Sequence, residues 1–302
     1  MDGLEAATAF SVRQNLNKAA VELSIVIVSF NVKKDLRRCL QGLAGCADSI
    51  EIIVVDNHSS DGSVEMLRAD FPEVTLIENR VNTGFSRAAN QGIRSSAGKF
   101  ALLLNPDTRI SGGDLESMVD YLKQNRRVGI LGCQILNSQG KRQFSARSFP
   151  WFSTSFSSNQ SILNRVVPKN PWSRKYLGKE LSLDSPSQVD WVSGSCLLAK
   201  REVFESAGLL DERFFMYVED VDLCKRAKEK GWEIVYYPQV KITHNNGQSV
   251  RKRKLIMLAE HHKSMYYYFT KYHADRKILA GLVYLGVWIR SGFSALGYWL
   301  KN

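Results

Sequence analysis

The chain has only five cysteines in 302 residues, and they lack any pairing pattern. Cys39, Cys46, Cys133, Cys196 and Cys224 are odd in number and irregular in spacing, with no C-x-x-C among them. That excludes a disulfide framework and predicts reduced, structural thiols in a cytosolic protein. The first twenty residues have no apolar core run, so no secretory signal is expected there. No segment repeats, which excludes a solenoid. Glycine is missing from "SFNVKKDLRR" (Ser29–Arg38), where a dinucleotide fingerprint would need three. "GIRSSAGKF" fails as a P-loop: one residue too many separates its glycines, and Phe100 stands where Ser or Thr is required. Acids are also scarce, 30 against 41 Lys and Arg, for a net charge of +11. From Arg251 to Asn302, ten Lys or Arg face only Glu260 and Asp275, so +8 of the +11 sits there. Such a tail can meet nucleic acid, anionic lipid or an acidic partner. Its Tyr, Trp and Leu content favours lipid, and no nucleic-acid partner is expected.

What is present is a globular composition, 44% hydrophobic and 24% charged, long enough for a large core. Strand and helix signals alternate. Strands are predicted at Leu23–Phe30, Ile50–Val55, Val74–Ile77, Phe100–Leu104 and Val128–Leu136. Helices are predicted at Asn31–Leu43, Ser60–Ala69, Gly84–Ser95 and Leu115–Asn125. This is the pattern of an α/β fold, a mostly parallel sheet with helices on both faces. The stretch Asn137–Gln188, rich in Ser, Pro, Trp and Arg, breaks the pattern and is too long for an ordinary loop. Order returns with "VDWVSGSCLLAKREVFESAG", a strand and a short helix. The acid cluster "FFMYVEDVDLCKRAKEKG", the strand "EIVYYP" and "VKITHNNGQSV" follow. Three divisions result: a lead-in (1–22), the α/β domain (23–250) and a basic, amphipathic, helical C-terminal region (251–302).

Ile278–Leu300 is nearly long enough to span a bilayer. Arg290 near its middle would cost ~2.5–3.5 kcal/mol on insertion scales. Arg290, Ser294, Gly297 and Lys301 share one helical stripe, the pattern of a helix lying on a membrane surface. The other reading is a helix docked on the protein's own core.

In an open parallel sheet, ligands bind at the carboxyl ends of the strands. The first strand ends in Ser29, Phe30 and Asn31, the second in Asp56 and Asn57, and the fourth in Asn105, Pro106 and Asp107. One polar ending is an ordinary turn, but three at one edge argue for a site. Asp107 is read as a carboxylate ligand for Mg²⁺ or Mn²⁺, hard cations that prefer oxygen. "VEDVD" puts Glu219, Asp220 and Asp222 within four residues. A helix N-terminus offsets part of their repulsion, and Lys225, Arg226, Lys228 and Lys230 complement the other end. A charged, capped helix with no further role would look the same.

Taken in order, "SIVIVSFN", "IIVVDNHSSDGS", "ENRVNTGFSRAANQGI", "LLLNPDT", "WVSGSCLLAKREVFESAGLLDERFFMYVEDVDLCKRA" and "H…G.S" resemble the inverting family 2 glycosyltransferases of GT-A fold, and rhamnosyltransferase-like members most of all. The resemblance runs from Leu23 to about Gly247. It implies that "NPD" takes the place of the family's D-x-D motif. Asn105 replaces the first acid there, so metal binding falls to Asp107. It further implies that Asp56 contacts the nucleotide base in a pocket lined by Ser29–Asn31, and that Asp220 is the catalytic base, with Glu219 beside it. His244 matches a histidine that completes the metal site in some members. Trp191 and Gly194 fall where donor sugar and acceptor meet, and Asn82, Gly84, Phe85 and Asn90 in the donor-side loop and helix.

The function these readings imply is inverting, metal-dependent transfer of a sugar from a nucleotide sugar, foremost L-rhamnose from dTDP-rhamnose. The acceptor would be a lipid-linked saccharide, in cell-surface polysaccharide synthesis at the cytoplasmic face of a membrane. The alternatives are another donor (a UDP-hexose or UDP-galactofuranose), a nucleotidyltransferase, or a non-catalytic sugar-binding scaffold. A nucleotidyltransferase would carry a Gly-rich, basic turn after the first strand, and only the basic half is present. A scaffold would have no use for both Asp107 and Asp220.

Overall fold

Leu23–Ser29 (β1) is flanked on both sides by parallel strands. It pairs with Ile50–Asp56 (β2) in an unbroken register from Leu23↔Ile50 to Ser29↔Asp56, and with Phe100–Leu104 (β4) from Leu23↔Phe100 to Val26↔Leu103. The computed structural model describes residues 21–46, 49–150, 181–244, 254–273 and 281. Its other strands are Thr75–Glu78 (β3), Thr108–Arg109 (β5), Val128–Leu136 (β6), Arg142–Gln143 (β7), Ala146–Arg147 (β8), Ser187–Gln188 (β9), Trp191–Val192 (β10), Cys196–Lys200 (β11) and Glu233–His244 (β12). The main sheet runs β3-β2-β1-β4-β11-β6-β12-β5, with β7 on β6 and β9 on β12; β8 and β10 form a separate two-stranded ribbon. The long strands β1, β2, β4, β6 and β12 run the same way, and β11 runs against both its neighbours, β4 and β6.

Side-chain alternation along these strands fills two apolar layers. Leu23, Ile25 and Ile27 of β1 point to one face. There they meet Lys33–Leu43 (α1), Ser63–Asp70 (α2) and Gly112–Gln124 (α4) through Leu36, Leu40, Met66, Leu67, Leu115 and Met118. Val26, Leu103 and Leu197 point to the other face. It is covered by Phe85–Ser95 (α3), Arg201–Ala207 (α5) and Glu219–Glu229 (α6). A seventh helix, Lys254–Tyr272 (α7), packs Tyr268 and Phe269 against Phe214, Val218 and Val221 at the start of α6.

The expected α/β architecture is present, with two differences of extent. Helix α4 begins at Gly112, ahead of the predicted Leu115. Ser111 Oγ accepts from Asp114 N while the Asp114 carboxylate accepts from Ser111 N, a reciprocal cap that outweighs two helix-weakening glycines. "EIVYYP" and "VKITH" are one strand, β12. Pro238 donates no ladder bond, and the register to β6 jumps from Tyr237↔Cys133 to Lys241↔Gln134 across it, but the strand resumes. The cysteines are free, four of them buried, as expected. Among the described residues no helix is long and apolar enough to cross a membrane. The lead-in up to residue 20, residues 151–180 of the aperiodic stretch, the Arg251–Arg253 cluster and all of Ile278–Leu300 but Gly281 lie outside the described residues.

Helix α3 sits unusually close to β1. A Cβ at Gly92 would lie 2.4 Å from Val26 Cγ1 and 3.3 Å from Val55 Cγ2. Gly92→Ala is expected to cost ~1–3 kcal/mol, the usual range for overpacking a core, and to lower the thermal midpoint by several degrees. An unchanged melting curve would show that α3 can move off the sheet at no cost.

Candidate active site

The parallel register brings the ends of β1 and β2 level, with Ser29 beside Asp56. Both are buried. Asp56 Oδ1 accepts from Ser59 N at 2.8 Å, but its Oδ2 is buried with no partner, and so is Ser29 Oγ. A buried acceptor without a donor is expensive, so this pair is suited to a ligand that brings an N–H. Phe30 is half-buried at the bend that follows, and Asn31 takes a positive φ of 55°. Asn31 N donates to Ser59 Oγ at 2.9 Å, and its Oδ1 accepts from Ser60 N at 2.8 Å, which locks the two turns together.

Asn57, at the end of β2, has its side chain fully used inside the protein. Its Nδ2 donates to Asn82 Oδ1 and Gly84 O, and its Oδ1 accepts from Thr83 N, all at 3.0 Å. Asn90 is also committed. Its amide donates to Leu210 O at 2.9 Å and accepts from Leu210 N at 3.0 Å. Both therefore shape the loop that carries Asn82, Gly84 and Phe85. Gly84 has φ +85°, and a Cβ there would lie 2.5 Å from Phe215 O, the carbonyl that accepts from Phe85 N. Only glycine meets both conditions. The result pins this loop to Phe215, four residues before α6.

Asn105 closes β4 and is tied to the chain entering β11: its N donates to Ser195 O at 3.0 Å and its Nδ2 to Ser195 Oγ at 3.2 Å. Two residues on, Asp107 Oδ1 stands 3.0 Å from Nε2 of His244, the last residue of β12. Gln143 fixes how that imidazole presents itself. Its Nε2 donates to the His244 carbonyl at 3.1 Å, so its Oε1 faces the ring at 3.2 Å and can only accept from Nδ1–H. In the neutral ring this leaves Nε2 as a lone pair directed at a carboxylate oxygen. Two acceptors 3.0 Å apart need a cation or a proton between them. The same spacing separates adjacent ligands on a six-coordinate ion with bonds of about 2.1 Å. Asp107 and His244 therefore fit a divalent cation, with Asn105 Nδ2 3.4 Å from the imidazole. Among the described residues no group of three His, Cys, Asp or Glu could hold a metal, so the remaining ligands would have to come from substrate or solvent.

Glu219 and Asp220 open α6 after two strained residues, Tyr217 (φ +68°) and Val218 (φ +70°). Asp220 Oδ2 accepts from Gly194 N and Oδ1 from Val221 N, both at 2.8 Å. Desolvation holds its carboxyl above the usual aspartate range, against the opposing pull of these amides and of Arg147. Glu219 is raised well above the usual range by deeper burial and by the charges of Asp220 and Asp222, and its Oε2 has no partner. Of the two, Glu219 is the better place for a shared proton. Trp191, half-buried in the wall beside them, donates Nε1–H to Ser148 O at 2.9 Å.

A family model for glycosyl transferase family 2 matches residues 24–207. The chain belongs to that family. It is 32% identical over 83% of its length, and 85% of the relative, to an N-acetylglucosaminyl-diphospho-decaprenol L-rhamnosyltransferase of Mycobacterium tuberculosis. It is 26% identical to the rhamnosyltransferase WbbL of Escherichia coli, over 73% of this chain and 82% of that one. Among solved structures it superposes on the mannosyltransferase PcManGT of Pyrobaculum calidifontis, in complex with GDP-Man and Mn²⁺, with TM-score 0.55, 15% identity and coverage of 98% and 87%. It also superposes on GalNAc-T7 with UDP, GalNAc and Mn²⁺, with TM-score 0.55 and 14% identity, over 76% of this chain and 44% of that one. At these identities the superpositions establish the GT-A fold.

In this family 2 transferase the sheet edge gathers Ser29, Asp56, Asn105, Asp107, Gly194, Asp220 and His244. Asn57 and Asn90 stand behind it as supports. Sequence reasoning missed Gln143 and Arg147. Both lie in the aperiodic Asn137–Gln188 stretch, where no spacing marks them out, and they gain their roles only through pairing of β7 with β6 and of β8 with β10. Asp35 of α1 was also missed. Desolvation and then the charge of Asp107 raise it above its usual range.

Proposed function

We propose that this chain is an inverting rhamnosyltransferase that moves L-rhamnose from dTDP-rhamnose to a lipid-linked saccharide at the cytoplasmic face of a membrane. The observation that carries the reading is the setting of Asp220. Two backbone amides orient its carboxylate, and a protonated Glu219 beside it spares it a second negative charge. Similarity to the mycobacterial rhamnosyltransferase supports the sugar and the kind of acceptor. The buried, unpartnered Asp56 Oδ2 supports a thymine or uracil base, whose ring N–H would supply the missing donor.

Asp220 accepts the proton of the acceptor hydroxyl as that oxygen attacks the anomeric carbon from the face opposite the departing nucleotide. Single displacement inverts that carbon. Asp107 and His244 hold the donor end of the site, and a divalent cation bound there would supply positive charge against the leaving diphosphate. Asn57 and Gly84 keep the donor loop fixed against Phe215, so the nucleotide pocket and the base move as one body.

Asp220→Asn is expected to lower transfer ~10²–10⁴-fold while nucleotide affinity is kept, because an amide of the same shape cannot take the proton. Since burial raises the Asp220 pKa, the base form prevails only above that raised value. The acid limb of kcat/KM in the wild type should therefore lie above pH 3.8, the ordinary aspartate value. Transfer assays with dTDP-rhamnose, UDP-hexoses and UDP-galactofuranose test both points, and wild-type turnover by the Asn variant would sink the assignment.

Gln143→Leu frees the His244 ring and is expected to weaken Mn²⁺ binding ~10–100-fold in the presence of dTDP, whereas Gln143→Glu keeps an acceptor for Nδ1–H and should bind more tightly than Gln143→Leu. A Mn²⁺ titration followed by electron paramagnetic resonance measures this, and equal affinity in all three proteins would remove the metal role.

We assign membrane attachment to the basic region 251–302. Deleting 278–302 should abolish flotation with anionic liposomes while the melting curve holds. A collapsed melt would mean instead that the segment completes the core.

A further inference from the structure

Arg147 forms no ion pair among the described residues. It lies on β8, and β8 pairs only with β10, which places Arg147 across from Trp191. The guanidinium carbon stands 5.6 Å from the centre of the Trp191 ring, and Nε donates to Phe144 O at 3.1 Å. A ring face and a backbone carbonyl thus fix the plane of the group. Among the described residues no carboxylate forms an ion pair with it, whereas Arg226 holds Asp222, Arg213 holds Asp211, and Arg87 and Arg94 hold Glu212. A half-buried guanidinium held rigid with its two terminal nitrogens unclaimed is built to receive an anion.

Its surroundings say which side of the site that anion occupies. Arg147 is close enough to Asp220 to lower its pKa, and close enough to His261 of α7 to help push that one down to about 4, after desolvation and His262. His261 keeps surface open to solvent. Its ring meets that of Tyr217 edge-on at 5.5 Å. Arg147, Trp191, Tyr217 and His261 are thus linked in one group beside Asp220. The nucleotide pocket at Ser29 and Asp56 and the Asp107–His244 pair belong to other strand ends, whereas this group joins the β8–β10 ribbon to α7. It is the acceptor's side, and α7 is itself part of the basic C-terminal region.

We propose that Arg147 binds the diphosphate of the acceptor, in a subsite for a saccharide linked through diphosphate to a lipid. The inference rests on the reading of the chain as a transferase to a lipid-linked saccharide. It adds that the enzyme recognises the linkage group as well as the sugar. Geometry favours it. In an acceptor with one sugar, the diphosphate on C1 lies about a ring's width from the attacking hydroxyl. With that hydroxyl at Asp220, a guanidinium near enough to act on Asp220 is within reach of that diphosphate. Bidentate pairing of guanidinium with phosphate supplies both orientation and affinity.

The test compares wild type, Arg147→Ala and Arg147→Lys on two acceptors, a monosaccharide–diphosphate–prenol and the alkyl glycoside of the same monosaccharide. Binding of dTDP with Mn²⁺, and of farnesyl diphosphate as a sugar-free probe, is measured by calorimetry on the same proteins. Arg147→Ala should raise KM for the diphosphate acceptor at least ~10-fold and weaken farnesyl diphosphate to a similar degree. It should leave dTDP affinity and use of the alkyl glycoside within about two-fold, with Arg147→Lys between the two. Equal losses on both acceptors would mean that Arg147 only tunes Asp220, and a fall in dTDP affinity would assign the cation to the donor. Either result overturns the proposal, as does unchanged farnesyl diphosphate binding. A wild type that uses the alkyl glycoside and ignores the diphosphate acceptor overturns the proposal and keeps the transferase. One that uses neither acceptor, with intact dTDP binding, removes the transferase reading itself.

Discussion

The site depends on one reversal of chain direction. Strand β11 runs antiparallel between β4 and β6, so the segment that precedes it, Trp191–Ser195, arrives at the same edge where β1, β2 and β4 end. The joint is made by backbone: Asn105 N to Ser195 O at 3.0 Å. From there Gly194 N reaches Asp220, and Ser195 Oγ meets the Asn105 amide. Had β11 been parallel, Gly194 would lie at the opposite edge, and Asp220 would have lost its amide donor.

The three carboxylates of "VEDVD" coexist because the fold gives each a different solution. Asp222 is fully buried and neutralised, accepting from Arg226 at 2.8 Å, Lys271 at 2.5 Å and Tyr272 at 2.8 Å. Asp220 is held by two amides that oppose the effect of its burial, while Glu219 is raised well above the usual range. Breaking one partner of such a buried set is costly, and that ties α7 to the catalytic helix.

Strain at Tyr217 and Val218 belongs to the same arrangement. A β-branched residue in the left-handed region costs ~1–3 kcal/mol and persists only where its surroundings impose it. Here Ser264 of α7 donates to Met216 O at 2.8 Å, and Val218 is buried against Tyr268 and Phe269. Helix α7, part of the basic region, is thus also the clamp on the turn that sets Asp220.

Much was legible in the residues alone. The alternation of apolar runs and helical spacing determined the α/β layers, because buried parallel strands can be little else than β-branched and leucine-rich. The polar endings at Ser29, Asp56 and Asp107 marked residues that the fold brings to one sheet edge, and "VEDVD" before a lysine-rich turn marked a helix N-terminus. Local chemistry suffices where the signal lies within a few neighbours. What it could not determine was use. Asn57 and Asn90 look like ligand contacts and are supports, since their partners are Asn82 and Gly84 for one, and Leu210, over a hundred residues away, for the other. Gln143 orients His244 from across the sheet, and Arg147 stands by Asp220 only because β8 pairs with Trp191. The sequence by itself determined which strands end in chemistry. The tertiary structure decided which of those side chains are spent inside the protein and which are left to meet a substrate, because a hydrogen bond can be counted only when both of its partners are in place.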